Sequence, residues 1–224
     1  MVTCQHVHLR LHKCMTSNLP PALFVAESSA LDFVNSRATP TGQVVDWLRS
    51  GEDFLSWLGQ AKLAPPDVIS SFRSEGNVAD LELVAGKARS LRDWFRGFVI
   101  SHMGRPLTPK AADDLKPINQ ILAGDQKFHQ IARREAREGE NAPLLSWQLE
   151  RRWRNPEALL TPIAEAIGEF VCSSDFSYVK ACEGMHCTIL FFDNRKKGAR
   201  RWCDMAVCGN RAKQAAHRAR LKKD

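Results

Sequence analysis

Four cysteines near the C-terminus have the spacing of a metal site. Cys182 and Cys187 form one Cys-x4-Cys pair, Cys203 and Cys208 form a second pair, and 15 residues lie between the pairs. Zinc in structural sites is held by four nitrogen or sulfur ligands in a tetrahedron, and a short loop can carry two of them. Because four thiolates leave no open coordination position, the spacing predicts one structural Zn²⁺ rather than a catalytic one.

Two features of this segment leave alternatives open. His186 lies inside the first cysteine pair, so it is an alternative ligand to one of the cysteines. Zinc thiolates can also be oxidised, so the sequence does not decide between a purely structural zinc site and a redox switch. Since the segment has few apolar side chains, we expect metal binding to supply much of its stability.

The segment around the cysteines predicts a small treble-clef-like module. Residues 188–192 have the composition of a strand, residues 193–198 that of a turn, and residues 200–202 return towards the second cysteine pair. The chain after Cys203 is helical in pattern up to residue 223, which places Cys208 in the first turns of that helix. A hairpin followed by a basic C-terminal helix is therefore expected.

The positive charge of the chain is concentrated in this module. Residues 180–224 hold 12 Lys and Arg against 4 Asp and Glu, whereas residues 1–179 hold 20 against 21. Such asymmetry predicts a polyanionic partner, most simply nucleic acid. The alternatives are a basic tail that only aids solubility, or a helix packed on the preceding domain. The candidate nucleic-acid contacts are Arg195, Lys196, Lys197, Arg200, Arg201, Asn210, Arg211, Lys213, Arg218 and Arg220.

The rest of the chain divides into an extension and a helical domain. Residues 1–20 lack apolar periodicity and are predicted to be disordered, although their histidines and cysteines leave metal binding open, and Met15 is an alternative start. Residues 21–174 are predicted to form a mainly helical domain with a few short strands, and residues 175–224 the zinc module. The fold class expected for the whole chain is α+β.

Within the helical domain, a few segments stand out. Residues 77–102 carry apolar side chains at a 3-4 spacing and predict the longest helix. Asn155 and Pro156 predict the start of another helix. The remaining segments are expected as strands at residues 22–26 and 44–48, helices from Ser50, over residues 66–72 and over residues 109–122, and a hairpin of residues 128–136 with 144–153.

The sequence shows no constellation that would support an enzyme. It contains no Gly-rich phosphate loop, no His-Glu-x-x-His and no Gly-x-Ser-x-Gly. Asp113 and Asp114 are adjacent on a predicted helix, where neighbouring positions do not share a face. No apolar run is long enough to span a membrane, and the N-terminus lacks the apolar region of a secretory signal. We therefore expect a non-enzymatic cytoplasmic protein without a membrane partner.

Several motifs resemble known families. The tetrapeptide Cys208-Gly209-Asn210-Arg211, with the two cysteine pairs before it, resembles the CGNR zinc finger. Residues 30–35, Ala-Leu-Asp-Phe-Val-Asn, resemble the opening motif of the ABATE-type domain, although Ser36 follows where Thr is expected. The resemblance implies that the four cysteines are zinc ligands and that the protein is a bacterial, stress-linked transcription regulator.

These observations together predict a zinc-dependent DNA-binding protein that regulates transcription. An RNA- or ribosome-associated binder and a zinc-shaped protein-interaction module are the alternatives, because attraction to phosphates carries no sequence information. A homodimer and a small-molecule effector in the N-terminal domain remain open.

Overall fold

The chain forms a helical body with three short antiparallel strand pairs. A computed structural model of the protein describes residues 19–74, 78–134, 144–195 and 198–221. The α-helices are α1 Ser29–Val34, α2 Gly51–Gln60, α3 Pro66–Ser74, α4 Val78–His102, α5 Ala111–Asp114, α6 Lys116–Ala123, α7 Thr161–Ser173 and α8 Asn210–Leu221. The strand pairs are β1 Arg37–Ala38 with β2 Val45–Asp46, β3 Lys127–Arg133 with β4 Leu145–Arg151, and β5 Val179–Ala181 with β6 Leu190–Phe192. The predicted α+β class is confirmed.

The long helix α4 is the centre of the body. Its buried side chains include Leu81, Val84, Phe95 and Val99, which follow the 3-4 spacing that predicted the helix. Helix α4 packs against α1, α2 and the 3-10 turn Pro156–Leu160 that leads into α7. Among the described residues, no helix combines the length and the apolarity that crossing a bilayer requires.

Helix α2 lies very close to α4 at its first residue. A Cβ atom on Gly51 would stand 2.6 Å from the Cβ of Leu81 and 2.8 Å from its carbonyl carbon, so only glycine fits there. Ser50 caps α2 as predicted, because its Oγ accepts a hydrogen bond from the backbone N–H of Asp53 at 3.1 Å. The cap and the close approach together fix where α2 begins.

Two predicted elements of the helical body differ from the structure. The helix expected over residues 109–122 is split into α5 and α6 at Leu115, because Pro117 occupies the first turn of α6 and cannot continue a helix from before it. The strand expected at residues 22–26 is wrong, because this segment makes isolated contacts instead of a ladder. The carbonyl of Ala26 accepts from the N–H of Phe192, and a positive φ of 59° at Glu27 ends the extended run.

The C-terminal module packs directly against the helical body. Asn35, at the end of α1, donates from Nδ2 to the carbonyl of Leu190 at 2.7 Å and accepts from the N–H of Leu190 at 2.9 Å. Both residues are buried, as is Phe191 on the same strand. The module and the body therefore share one core, and a boundary at residues 174 and 175 remains a prediction.

The start of the described chain also contacts this body. The indole N–H of Trp47 donates to the carbonyl of Pro20 at 2.7 Å, and Leu19 packs on the edge of the core. Residues 1–18, which make up most of the predicted disordered extension, lie outside the described residues.

Candidate metal centre

The four predicted cysteines meet at one point. Their sulfur atoms all lie within 4.8 Å of one another, with Cys187 and Cys203 3.8 Å apart and Cys203 and Cys208 3.7 Å apart. A tetrahedral zinc ion with bonds of about 2.3 Å requires sulfur–sulfur distances of about 3.8 Å. The arrangement thus fits Zn²⁺ held by four thiolates, and His186 is not in the cluster formed by the described residues.

The first cysteine pair lies in the turn between β5 and β6. The N–H of Cys182 donates to the carbonyl of Ile189, and the N–H of Cys187 donates to the carbonyl of Gly184. A Cβ atom on Gly184 would lie 3.0 Å from the sulfur of Cys208. Because glycine has no side chain at this position, the second cysteine pair can approach the first.

The second cysteine pair brackets the start of α8. After Cys203, the side chain of Asp204 accepts from the N–H of Val207 at 2.8 Å and caps the π-helical turn Met205–Gly209. Cys208 lies in this turn, and its N–H donates to the carbonyl of Asp204. The site thus anchors the first turn of the basic helix, as the sequence predicted.

Backbone N–H groups point at one of the sulfur atoms. The N–H groups of Gly184 and Cys203 each donate to the sulfur of Cys182 at 3.3 Å. Donors of this kind favour the thiolate form of a ligand and orient it, as outer-shell contacts do in metal sites. Cys182, Cys203 and Cys208 are buried, while Cys187 is half-buried.

The ionisation of the thiols shows why the site suits a dication. A hydrogen bond from Cys203 lowers the pKa of Cys187 to about 5, whereas the same bond raises the pKa of Cys203. Burial raises the pKa of Cys208 to about 12. Thiols this close cannot all ionise unless a cation offsets their mutual repulsion, so binding of zinc releases protons.

The hairpin of the module differs from the predicted one. Strand β6 pairs with β5, in the register Val179 with Phe192, instead of pairing with residues 200–202. The cysteine turn is therefore the hairpin loop, and Arg195, Arg200 and Arg201 follow the hairpin. Three-residue strands are too short to show an alternating pattern, so the sequence did not reveal β5.

Arg200 does not belong to the exposed cations with which it was grouped. Its side chain is only 9% exposed. The guanidinium donates to the carbonyls of Val25, Trp202 and Cys203, and lies 4.4 Å from the centre of the Phe191 ring. Arg200 therefore joins the second cysteine pair to the body, and a nucleic-acid contact by this residue is not supported.

Two further predicted contacts already have protein partners. Arg211, the last residue of the Cys-Gly-Asn-Arg tetrapeptide, donates to the carbonyl of Pro40 at 3.0 Å and holds the start of α8 on the body. Arg201 forms an ion pair with Glu183 at 2.6 Å and lies over the ring of Trp202, but its side chain is 61% exposed. Arg201 can still meet an anion, since an exposed ion pair exchanges readily.

The other predicted contacts are mostly on the surface. Asn210 begins α8, where its Nδ2 donates to the carbonyl of Ala206. Lys196 and Lys197 lie outside the described residues. The predicted contacts whose side chains are exposed without an ion pair among the described residues are Arg195, Asn210, Lys213, Arg218 and Arg220.

Comparison with known families agrees with this geometry. Residues 27–174, about two thirds of the chain, match the model of the ABATE family, described as "Putative stress-induced transcription regulator". The chain belongs to the ABATE family. Residues 178–221 match the CGNR zinc finger, and this range contains all four clustered cysteines. No curated protein gives a significant match. The zinc finger and the cysteine cluster show that the chain carries one structural zinc.

The sequence did not reveal how the ABATE domain holds the first zinc loop. The N–H of Thr39 donates to Oγ1 of Thr188 at 2.9 Å, and the hydroxyl of Thr39 donates to the carbonyl of His186. Arg96 on α4 donates to the carbonyl of Thr188 at 2.7 Å. Of the body residues named here that contact the module, only Asn35 gives a signal in the sequence, because it is a polar residue at the end of the apolar motif of residues 30–35.

Proposed function

We propose that this protein binds duplex DNA through α8 and regulates transcription, with Cys182, Cys187, Cys203 and Cys208 as the zinc ligands. The observation that carries the proposal is the position of α8, which starts two residues after Cys208. A rigid metal site at the foot of a basic helix is a means of presenting that helix to a groove.

The composition of α8 supports a contact with phosphates. The helix has twelve residues and no acidic side chain, and Lys213, Arg218 and Arg220 are exposed. It is about 18 Å long and would fit the major groove of B-DNA, which is about 12 Å wide. Arg211 ties the start of α8 to Pro40, but the described side chains in the second half of α8 are exposed. This exposure argues against a helix buried on the ABATE domain.

The shared core suggests how the ABATE domain would influence DNA binding. Asn35, Thr39 and Arg96 hold the backbone directly after the first zinc loop, at Thr188 and Leu190, so a shift in these residues would move the metal site. We extend the proposal to a small-molecule effector in the ABATE domain, a homodimer and a cytoplasmic location.

The α8 proposal is tested by charge removal. We would measure the fluorescence anisotropy of a short labelled duplex against zinc-loaded protein, at about 50 mM salt, where phosphate contacts are strong. The triple variant Lys213→Ala/Arg218→Ala/Arg220→Ala should lose most of the affinity. If about five phosphates are contacted, the logarithm of the binding constant should fall with the logarithm of the salt concentration at a slope near −4.5. The slope of the triple variant should be shallower by about 2.7, because three contacts are removed.

A matched variant controls for net charge. Arg105, Lys110 and Lys116 are exposed on the helical body, and their replacement by alanine removes the same three charges. Equal loss of affinity in both triple variants would contradict a role for α8. Tighter binding to an RNA duplex than to DNA would favour the RNA-binding alternative. If the protein binds neither nucleic acid, the protein-interaction module is the favoured function.

A further inference from the structure

The hairpin of β3 and β4 exposes its apolar face. In a two-stranded antiparallel ribbon, one face usually packs on the core and carries the apolar side chains. Here the outward face holds Ile131, Leu145, Trp147 and Leu149, which are 68%, 65%, 69% and 53% exposed. None of the described hairpin residues belongs to the buried core. An exposed apolar cluster of this kind marks an interaction surface.

The centre of this face is an aromatic platform. The rings of His129 and Trp147 are stacked at 14°, with their centres 4.9 Å apart. Trp147 stands opposite Ile131, and His129 opposite Leu149, so all four side chains lie on the same face. Because Trp147 is covered by His129 on one side only and is 69% exposed, its other ring face is available to a flat group.

The surroundings of the platform are basic. The described residues 126–134 and 144–154 contain six Lys and Arg against one Glu. Lys127 and Arg151 form ion pairs with Glu165 of α7, which tie the base of the hairpin to the body. Arg133 stands opposite Leu145 on the same face as Trp147, and its side chain is exposed, whereas Arg152 lies over the ring of Phe128 on the other face. A partner of this surface must therefore offer both flat apolar groups and negative charge.

We propose that the face formed by His129, Ile131, Leu145, Trp147 and Leu149 is a second nucleic-acid contact, where an unpaired base stacks on Trp147. Arg133 and Lys127, which lie on the same face, would contact the adjoining phosphates. Single-stranded nucleic acid is held in this way by aromatic platforms inside basic surfaces. The inference rests on the proposed function in taking nucleic acid as the partner, but it concerns a different element and a different form of the ligand.

Charge disfavours a second copy of the chain as the occupant. Two hairpins placed face to face would bring Lys127 and Arg133 of one copy close to the basic residues on the same face of the other. Like charges opposed at an interface are unfavourable. A polyanion removes this repulsion and still covers the apolar side chains.

The test compares single-stranded and duplex probes of the same sequence. Trp147→Ala in the zinc-loaded full chain should weaken single-strand binding about fivefold or more, because stacking of one base contributes at least that much. Trp147→Phe, which keeps an aromatic ring, should retain most of the affinity of the native protein for the single strand. The control is Leu83→Ala on α4, which removes a side chain that is 56% exposed far along the chain from the hairpin. Equal melting temperature and zinc content would show that the variants are folded.

The outcomes separate this inference from the function of α8. If Trp147→Ala and Leu83→Ala bind the single strand equally well, the inference is overturned, even when the α8 triple variant has lost duplex binding. If duplex binding is absent but single-strand binding depends on Trp147, the inference holds and the α8 proposal fails. If Trp147→Ala only converts a dimer to a monomer, the face is a self-association surface and the inference is overturned.

Discussion

The sulfur atoms of four residues define the metal site, so the ligand assignment can be tested one residue at a time. Cys182→Ser and Cys208→Ser should each remove most of the bound zinc, because a hydroxyl is a poor substitute for a thiolate. Cys172 lies on α7 and is exposed, and Cys172→Ser should keep one zinc per chain. Metal analysis of the purified variants is the measurement, and equal zinc content in all three would contradict the assignment.

Asp32 gives a residue-scale prediction about pH. Its carboxylate accepts from the N–H of Ala26, but burial dominates and raises its pKa from 3.8 to about 6. The neighbouring Glu27 raises this pKa further, and Arg200 lowers it. Because the folded state holds the proton more tightly than the unfolded state, Asp32 contributes stability below about pH 4 that is lost as the pH rises to about 6.

The variant Asp32→Asn isolates this contribution. The free energy of unfolding of the native protein, minus that of the variant, should fall by about 2 kcal/mol between pH 4 and pH 7. Urea unfolding at several pH values measures this difference, and effects common to both proteins, such as zinc loss in acid, cancel. Parallel pH curves for the two proteins would show that the Asp32 pKa is not raised.

At the scale of elements, two glycines in α2 make a matched pair. Gly51→Ala forces a Cβ atom into Leu81 of α4, so it should lower the free energy of unfolding by about 1 to 3 kcal/mol. Gly59 lies in the same helix with no atom within 4 Å of an added Cβ, so Gly59→Ala should be neutral or raise stability by up to about 1 kcal/mol. Urea unfolding of both variants checks the close packing, and equal effects would contradict it.

The elements also show what the sequence can and cannot predict. Helix α4 and the β3–β4 hairpin were predicted because each is long enough to display its period. The outward direction of the Trp147 face was not, because alternation identifies two faces without saying which one is buried. The role of Arg200 was also missed, because its partners Val25 and Phe191 are brought to it only by the packing of the module on the body.

The cysteine site was predictable for a different reason. The ligand types and spacings are set by the ion, and they act over a short stretch of chain, so they can be read without knowing the fold. The contacts of Asn35 with Leu190 join residues 155 positions apart, and a local sequence pattern cannot predict such a pair.

At the scale of the whole molecule, the Asn35 contact predicts that the zinc module and the ABATE domain unfold together. Asn35→Ala would leave the N–H and the carbonyl of Leu190 buried without their partner, at a cost of at least about 2 kcal/mol. We expect a lower unfolding free energy in a single transition, measured by urea unfolding. The control is Asn119→Ala on the exposed face of α6. If the two variants are equally stable, the module is not held by Asn35.

We propose that zinc holds α8 in the position from which it binds DNA. The most direct measurement is the affinity of the full chain for a labelled duplex before zinc removal, after it, and after zinc is returned. We predict that affinity falls on removal to the level of the α8 triple variant and recovers when zinc is restored. Unchanged duplex binding by the zinc-free chain, or no binding by the zinc-loaded chain, would contradict the account.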